Sequence, residues 1–544
     1  MAIHPRVAWI YLQAWWGTTI GVMSLRKPLW RRLLRVAAII IAALLLLVLS
    51  GLLLADHLAP QARGEASQVL PLQPAQTPID RQIMPLQAAH PGQSGVAFLS
   101  DGMDAFAARA MITEHAGRSL DLQYYIWHDD LIGHLMAKAL YDAAERGVRV
   151  RILLDDMNAK DKDALMMALD AHPNIELRLY NPFRNRSGIA RTLELVQRAF
   201  SVNHRMHNKS WIADGRIAIV GGRNIGEEYF SARSDVNFQD LDLVVAGPAV
   251  QQANQIFDDY WNSDAAIPIS ALATYTDAQL RQLVRQSDLD ALHAQAQPYL
   301  QRVAESRQRQ RASPEPLHWS TQVRIVSDPP MKHHGDAHDD WLVTALVRQL
   351  QSTRYKALLI SPYFVPGSEG LDGLSAMAGR GAQVGVVTNS LAANDVAAVH
   401  GGYMGYRVPL LKAGVQLYEL KASGQSGDSS LFGSSGASLH TKALLVDDRR
   451  GFVGSFNLDP RSAYLNTEMG VLFDDPVLGA QLRAEYLRLA SPEHSWWLAL
   501  GADDELRWLQ REPPPHWVEA EPGSSLGKRW TARVISWLPL ESQL

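Results

Sequence analysis

The feature that most limits what this chain can fold into is a repeated spacing. His207, Lys209 and Asp214 stand in HNKSWIAD, and His440, Lys442 and Asp447 stand in HTKALLVD, so both segments read H-x-K-x4-D. In each copy the aspartate is followed, ten residues on, by the asparagine that ends a glycine-rich turn, GGRN at Asn224 and GSFN at Asn457. One such pattern would be a weak signal, but two in the same register imply an internal duplication. The flanking sequence agrees. LDLQYYIW (Leu120 to Trp127) and ALLISPYFVP (Ala357 to Pro366) alternate or run apolar like strands, a helical stretch follows each, and Arg146-Gly147 and Arg380-Gly381 lead into the β-branched runs VRVRILLDD and AQVGVVTNS. His207 then lies 60 residues after Gly147, and His440 lies 59 after Gly381. The fold class expected is α/β, with two duplicated lobes, each a mixed sheet flanked by helices, facing each other across a pseudo-twofold cleft.

The spacing has a chemical reading. Residues i and i+2 of a strand share a face, so each histidine and its lysine project together. Two such strands bring two imidazoles, two ammonium groups and two amides around one pocket, a set that suits a phosphodiester. One neutral histidine can attack phosphorus while the other, protonated, donates to the leaving alkoxide. The lysines, with Asn224 and Asn457, would stabilise charge on the equatorial oxygens, which needs neither a metal nor another cofactor. Asp240 and Glu468 align across the repeat, each eight residues before a proline (Pro248, Pro476), and are expected to orient the imidazoles by accepting from the second ring nitrogen. Asp214 and Asp447 complete the motif and read as structural members, ending or pairing their strands.

Composition narrows the class further. The chain of 544 residues has no cysteine, which removes disulfide scaffolds, thiolate metal sites and cysteine nucleophiles. A net charge of −4 argues against a nucleic-acid partner. Val36 to Ala55 is an uncharged apolar run, about 30 Å as a helix and enough for a bilayer core. It is preceded by Arg26, Lys27, Arg31, Arg32 and Arg35, with no acidic residue among the first 35. The expectation is a retained single-pass anchor with the N-terminus in the cytoplasm. Its small-residue flank does not read as a cleaved leader.

The blocks QYYIW (123–127), RMHNKS (205–210), GGRNIG (221–226), TNSLAANDVA (388–397), SGASLHTK (435–442) and GSFNLDPRSAYLNTEMG (454–470) resemble the phospholipase D superfamily, and within it the bacterial cardiolipin synthases of the C type. The resemblance covers residues 90 to 544. It implies membrane-bound transfer of a phosphatidyl group to phosphatidylglycerol, from phosphatidylethanolamine or a second phosphatidylglycerol, through a phosphohistidine. It also implies that His207 is the nucleophile and His440 the acid/base, a choice the symmetric motifs leave open. The alternatives are hydrolysis of phospholipids to phosphatidic acid, a nuclease of the same superfamily, and a scaffold without activity. An accessory protein is left open.

The domain reading is a basic cytoplasmic segment (1–35), a transmembrane helix (36–55), a linker rich in proline, glutamine and alanine (56–90), the first lobe (91–250), a polar helical connector (251–320), the second lobe (321–490) and a C-terminal extension (491–544). In that extension KRWTARVISWLPL (528–540) suits a helix in the bilayer interface or one packed on the body. MKHHGDAHDD (331–340) reads as a solvated loop more than a metal site, and LFGSSGAS (431–438) as a phosphate-cradling turn or a lid.

Overall fold

The computed structural model describes residues 29–58, 63–74, 76–158, 163–183, 194, 203–272, 289–312, 316–332, 339–394, 396–422 and 439–537. The histidine-rich loop at 333–338 and the segment 431–438 lie outside the described residues.

Two units are distinguished. The first, residues 1–61, contains the helix Leu29–Leu58, whose stretch Leu33–Gly51 has a mean hydropathy of 2.8 and is long and apolar enough to cross a membrane. The leucines and isoleucines of that stretch are exposed all round, as a lipid-facing helix requires.

The second unit, residues 62–544, holds two sheets. Strands β1 (Ser94–Leu99), β2 (Ser119–Tyr124), β3 (Arg149–Asp155), β4 (Ile175–Tyr180), β5 (Ser210–Ala213), β6 (Ile217–Gly221), β7 (Asp242–Ala246), β8 (Ala266–Pro268) and β9 (His318–Ser320) form the first, in the order β8-β4-β3-β2-β5-β6-β7-β1-β9. The second holds β10 (Val323–Ser327), β11 (Lys356–Ile360), β12 (Gln383–Asn389), β13 (Gln416–Leu420), β14 (Ala443–Val446), β15 (Arg450–Gly454), β16 (Met469–Asp474), β17 (Ser495–Leu500), β18 (Leu506–Gln510) and β19 (His516–Val518). Their order is β10-β16-β15-β14-β11-β12-β13-β17-β18-β19. Laid over each other, β4-β3-β2-β5-β6-β7-β1 and β13-β12-β11-β14-β15-β16-β10 are the same seven-strand pattern, which is the duplication in three dimensions. In both, the first three strands run parallel, joined by crossover helices, and the rest are antiparallel.

The crossover helices end alike. Leu131–Glu145 and Gly367–Gly379 are each followed by an arginine and then by a glycine, Gly147 and Gly381, both at φ +89°. That left-handed conformation stops the helix and turns the chain into the next strand at little steric cost only for glycine. On β2, Leu120, Leu122 and Tyr124 bury against the helices, while Asp121 faces the other way and is also buried, bonded to Arg151. A carboxylate out of water needs such a partner, and here the guanidinium supplies it.

The two sheets share one core. Leu243, Val245 and Val220 of the first pack in the same apolar cluster as Val471, Phe473 and Val453 of the second, with Trp261 and Tyr486 from the flanking helices. Segments outside the repeat close around the lobes. The stretch 65–69 lies across the first lobe, where the backbone of Glu65, Ser67 and Gln68 accepts from Arg178, Arg151 and Arg149. Within 251–320, β8 and β9 join the first sheet, and the helix Leu289–Ala312 packs through Tyr299 and Val303 on the helices Gly102–His115 and Leu131–Glu145 that flank it. Strands β17 to β19 extend the second sheet from within 491–544.

Candidate active site

The histidines sit on extended residues just ahead of β5 and β14, and the opposite lobe holds each of them. The His207 amide donates to the Thr467 carbonyl at 2.9 Å, and the Thr467 amide returns a bond to Arg205. In mirror fashion the His440 and Thr441 amides donate to the Gln239 carbonyl. Thr467 and Gln239 directly precede Glu468 and Asp240, so these backbone bridges carry each carboxylate to the other lobe's imidazole. His207 Nδ1 lies 2.8 Å from Glu468 Oε2, and His440 Nδ1 lies 2.6 Å from Asp240 Oδ2. With Nδ1 so held, Nε2 is the ring nitrogen left for chemistry.

The two halves are not identical. His207 Nδ1 also lies 3.1 Å from the Ser455 carbonyl oxygen. A carbonyl only accepts, so the proton is on Nδ1 and Nε2 carries a lone pair. Ser455 Oγ donates in turn to Glu468 Oε2 at 2.5 Å. The aligned residue in the first lobe is Gly222, and a Cβ there would stand 2.2 Å from Asp240 Oδ1. The serine of one half therefore has no room in the other. His440 instead stacks on Phe238, with centroids 5.4 Å apart and planes 16° apart, and meets the Tyr229 ring edge-on. His207 meets Tyr125 edge-on.

Each lysine ammonium donates to the carbonyl of its own histidine, Lys209 to His207 at 2.6 Å and Lys442 to His440 at 2.5 Å. That turns both ammonium groups beside the imidazoles, and both lysines are about 1% exposed. Burial, then Lys209 and Lys442, hold the His207 pKa well below the usual imidazole value. Burial and Lys442 lower that of His440 to about 4, against the pull of Asp240. Burial and Lys442 likewise bring Lys209 down to about 7, with Glu468 opposing. Burial raises Glu468 to about 7, whereas Asp240, although buried too, is held low by His440, Lys442 and Arg223. Like charges packed out of water are costly, and an incoming anion relieves them.

Among the sequence-derived residues, His207, Lys209, His440, Lys442, Asp240 and Glu468 converge. Asn224 braces the wall, donating through Nδ2 to Tyr229 Oη at 3.0 Å and accepting from the Ile126 amide. Asn457 is buried on the turn after β15. Asp214 and Asp447, grouped by the motif with the catalytic set, stand at the far end of their strands, about 20 Å of extended chain from the histidines. Asp214 accepts from the amides of Gly117, Arg118 and Ser119, and Asp447 from those of Arg354, Tyr355 and Lys356. They fasten β5 to the start of β2, and β14 to the start of β11. Tyr125, Tyr229, Phe238 and Ser455 were not singled out from sequence. Tyr125 falls in the QYYIW block, but aromatic residues in strands are so commonly core that nothing marked it.

Two facing H-x-K elements, each oriented by a carboxylate from the opposite lobe, define a phosphodiester-transfer site of the phospholipase D type. The comparisons agree. The family model described as "Cardiolipin synthase, PLD-like domain" matches residues 110–261 and 346–490. Cardiolipin synthase C of Escherichia coli is 38% identical over 467 residues, covering 84% of this chain and 98% of that protein. An uncharacterised protein of Helicobacter pylori is 33% identical over 76% of this chain and 82% of its own length. In fold, the phosphatidylserine synthase of Haemophilus influenzae covers 83% of this chain and 95% of its own, with a TM-score of 0.54 at 13% identity. The chain belongs to the phospholipase D-like cardiolipin synthases, and is an enzyme, a phosphatidyltransferase.

Proposed function

We propose that the protein makes cardiolipin at the bacterial inner membrane by two-step transesterification through a phosphohistidine on His207. The observation that carries the assignment is the pair of bonds at His207 Nδ1. The Ser455 carbonyl and Glu468 keep the proton on that nitrogen, so the Nε2 lone pair is ready for phosphorus. His440 Nδ1 bonds the ionised Asp240, whose pull opposes the lowering by burial and Lys442; a bound anionic phosphodiester adds to that pull, so His440 carries the acid's proton in the substrate complex. Phe238, flat against the ring, adds a face that a cationic imidazole prefers.

In the first step His207 Nε2 bonds to the phosphorus of the donor phospholipid. The bond from phosphorus to the headgroup oxygen breaks, and His440 gives that oxygen its proton. In the second step the neutral His440 takes a proton from a hydroxyl of phosphatidylglycerol. The alkoxide attacks phosphorus, the phosphorus–nitrogen bond breaks, and cardiolipin leaves. Lys209 and Lys442 stabilise the equatorial oxygens in both steps. The donor is phosphatidylethanolamine or a second phosphatidylglycerol. The helix Leu29–Leu58 anchors the chain with its N-terminus in the cytoplasm, as its basic leading residues favour.

The test is mass spectrometry of products from the purified enzyme given phosphatidylglycerol alone and then with phosphatidylethanolamine. Cardiolipin in the first tube supports phosphatidylglycerol as donor, and a gain confined to the mixture supports phosphatidylethanolamine. Phosphatidic acid without cardiolipin would make water the acceptor and overturn the transferase reading.

A further inference from the structure

The helix Leu526–Ile535 settles onto the second lobe by one face and leaves another uncovered. Its Ala532 is fully buried, and it crosses the helix Ala397–Met404 at Gly401, where a Cβ would stand 2.8 Å from the Ala532 carbonyl and 3.2 Å from the Ile535 side chain. Lys528 Nζ donates to the carbonyls of Ala392 and Asn394, and Arg529 donates to the Glu521 carbonyl and to Ser524 Oγ. Glu521 itself bonds the buried Arg407. These bonds fix which way the helix is turned.

So held, the helix directs a straight stripe away from the body: Leu526, Trp530, Arg533 and, two residues past its end, Trp537, at i, i+4, i+7 and i+11. Leu526 is 82% exposed, Trp530 71% and Trp537 75%. The sequence alone posed interface and body as alternatives for this segment. The structure turns Ala532 and Ile535 inward onto the body and leaves the leucine and both tryptophans facing outward.

We propose that this stripe is a second membrane contact, lying in the plane of the headgroup region of an anionic bilayer. The residue types fit that occupant better than a protein surface. Tryptophan concentrates at membrane–water interfaces, where its ring is apolar and its N–H remains wet, and Arg533 between the two rings is placed for a lipid phosphate. The bilayer is also the apolar phase already present, since the same chain carries the Leu33–Gly51 helix. The inference rests on the chain being membrane-held but not on which phospholipid is the donor.

The absence of cysteine makes a direct test possible. Full-length variants Leu526→Cys, Trp530→Cys and Trp537→Cys would each be labelled with an environment-sensitive fluorophore and placed in phosphatidylglycerol–phosphatidylethanolamine vesicles. Leu45→Cys in the anchor and the exposed Leu487→Cys on the second lobe serve as references, and retained cardiolipin synthesis verifies folding. The proposal expects quenching by lipids carrying a nitroxide near the headgroup, and shielding from iodide, at 526, 530 and 537 but not at 487. Labels at the three positions that iodide reaches as freely as at 487, while 45 is quenched by the lipid, would overturn it and leave the anchor intact. Shielding from both quenchers, with dipolar coupling between chains, would also overturn it, in favour of a second copy.

Discussion

At the scale of single residues, the chemistry turns on where protons are held. On the proposed roles, His207 as nucleophile and His440 as acid, His207→Asn is expected to abolish both transfer and hydrolysis. His440→Asn is expected to lose turnover but still form a covalent adduct on His207 from a donor with an activated leaving group such as nitrophenol, visible as a mass increase on the intact protein. An adduct in the His207 variant instead would reverse the roles. Glu468→Gln keeps the size of the side chain but weakens the hold on the imidazole, and kcat should fall by about 10³-fold with KM little changed. Lys209 bears on the pH behaviour. Lys209, with its pKa brought to about 7, is charged below that pH and neutral above it. In the free enzyme kcat/KM should therefore decline as pH rises through about 7, while bound phosphate keeps the proton on and moves the decline in kcat to higher pH. Lys209→Arg, whose guanidinium stays charged, should remove that alkaline limb. A flat kcat/KM profile across neutrality in the parent enzyme would show that Lys209 does not titrate there.

At the scale of elements, the two aspartates of the repeated motif act on strands. Each holds φ near +50° and takes three backbone amides from the start of a neighbouring strand. Asp214→Ala should cost about 2–3 kcal/mol by denaturant titration, from lost amide bonds and a strained backbone, with kcat of the folded enzyme within about twofold of the parent. Asp214→Asn, which tolerates the left-handed conformation, should cost less. A large loss of kcat without a loss of stability would return Asp214 to the cleft. These elements also show where sequence reading succeeds. Strand periodicity and the glycine after each crossover helix are local and mark the two lobes, while the repeated H-x-K-x4-D spacing and the prolines eight residues after Asp240 and Glu468 point to the histidines, lysines and carboxylates that the fold brings together. The partner of each carboxylate is not local: Glu468 is 261 residues from His207, and Asp240 is 200 from His440. Periodicity tells which face a residue takes, not what lies opposite. For the same reason the polar composition of 56–90 and 251–320 hid their packing: a few apolar side chains set among polar ones, Ile79 and Ile83, Phe257 and Trp261, Tyr299 and Val303, reach the buried cores.

At the scale of the whole molecule, the site exists only where the two lobes meet, because each imidazole and its carboxylate belong to different lobes. His207→Asn and His440→Asn chains, co-expressed, should therefore fail to complement each other, since each molecule still holds one damaged site; restored cardiolipin would mean that lobes exchange between chains. The core between the sheets gathers Val220 and Leu243 of one lobe with Val453 and Val471 of the other, so separation of the lobes would expose a broad apolar face and dismantle the chemistry in one event. The crossed carboxylates thereby act as an interlock. An enzyme whose substrate is the bilayer it sits in would do harm if a half-made copy could already cut phosphodiesters. Here a chain that has folded through Ala246 has its first histidine in place but not Glu468, which is 222 residues further on and still to be built in. The reactive nitrogen is oriented only when the last strands of the repeat close over it, so completion of the fold and onset of reactivity coincide.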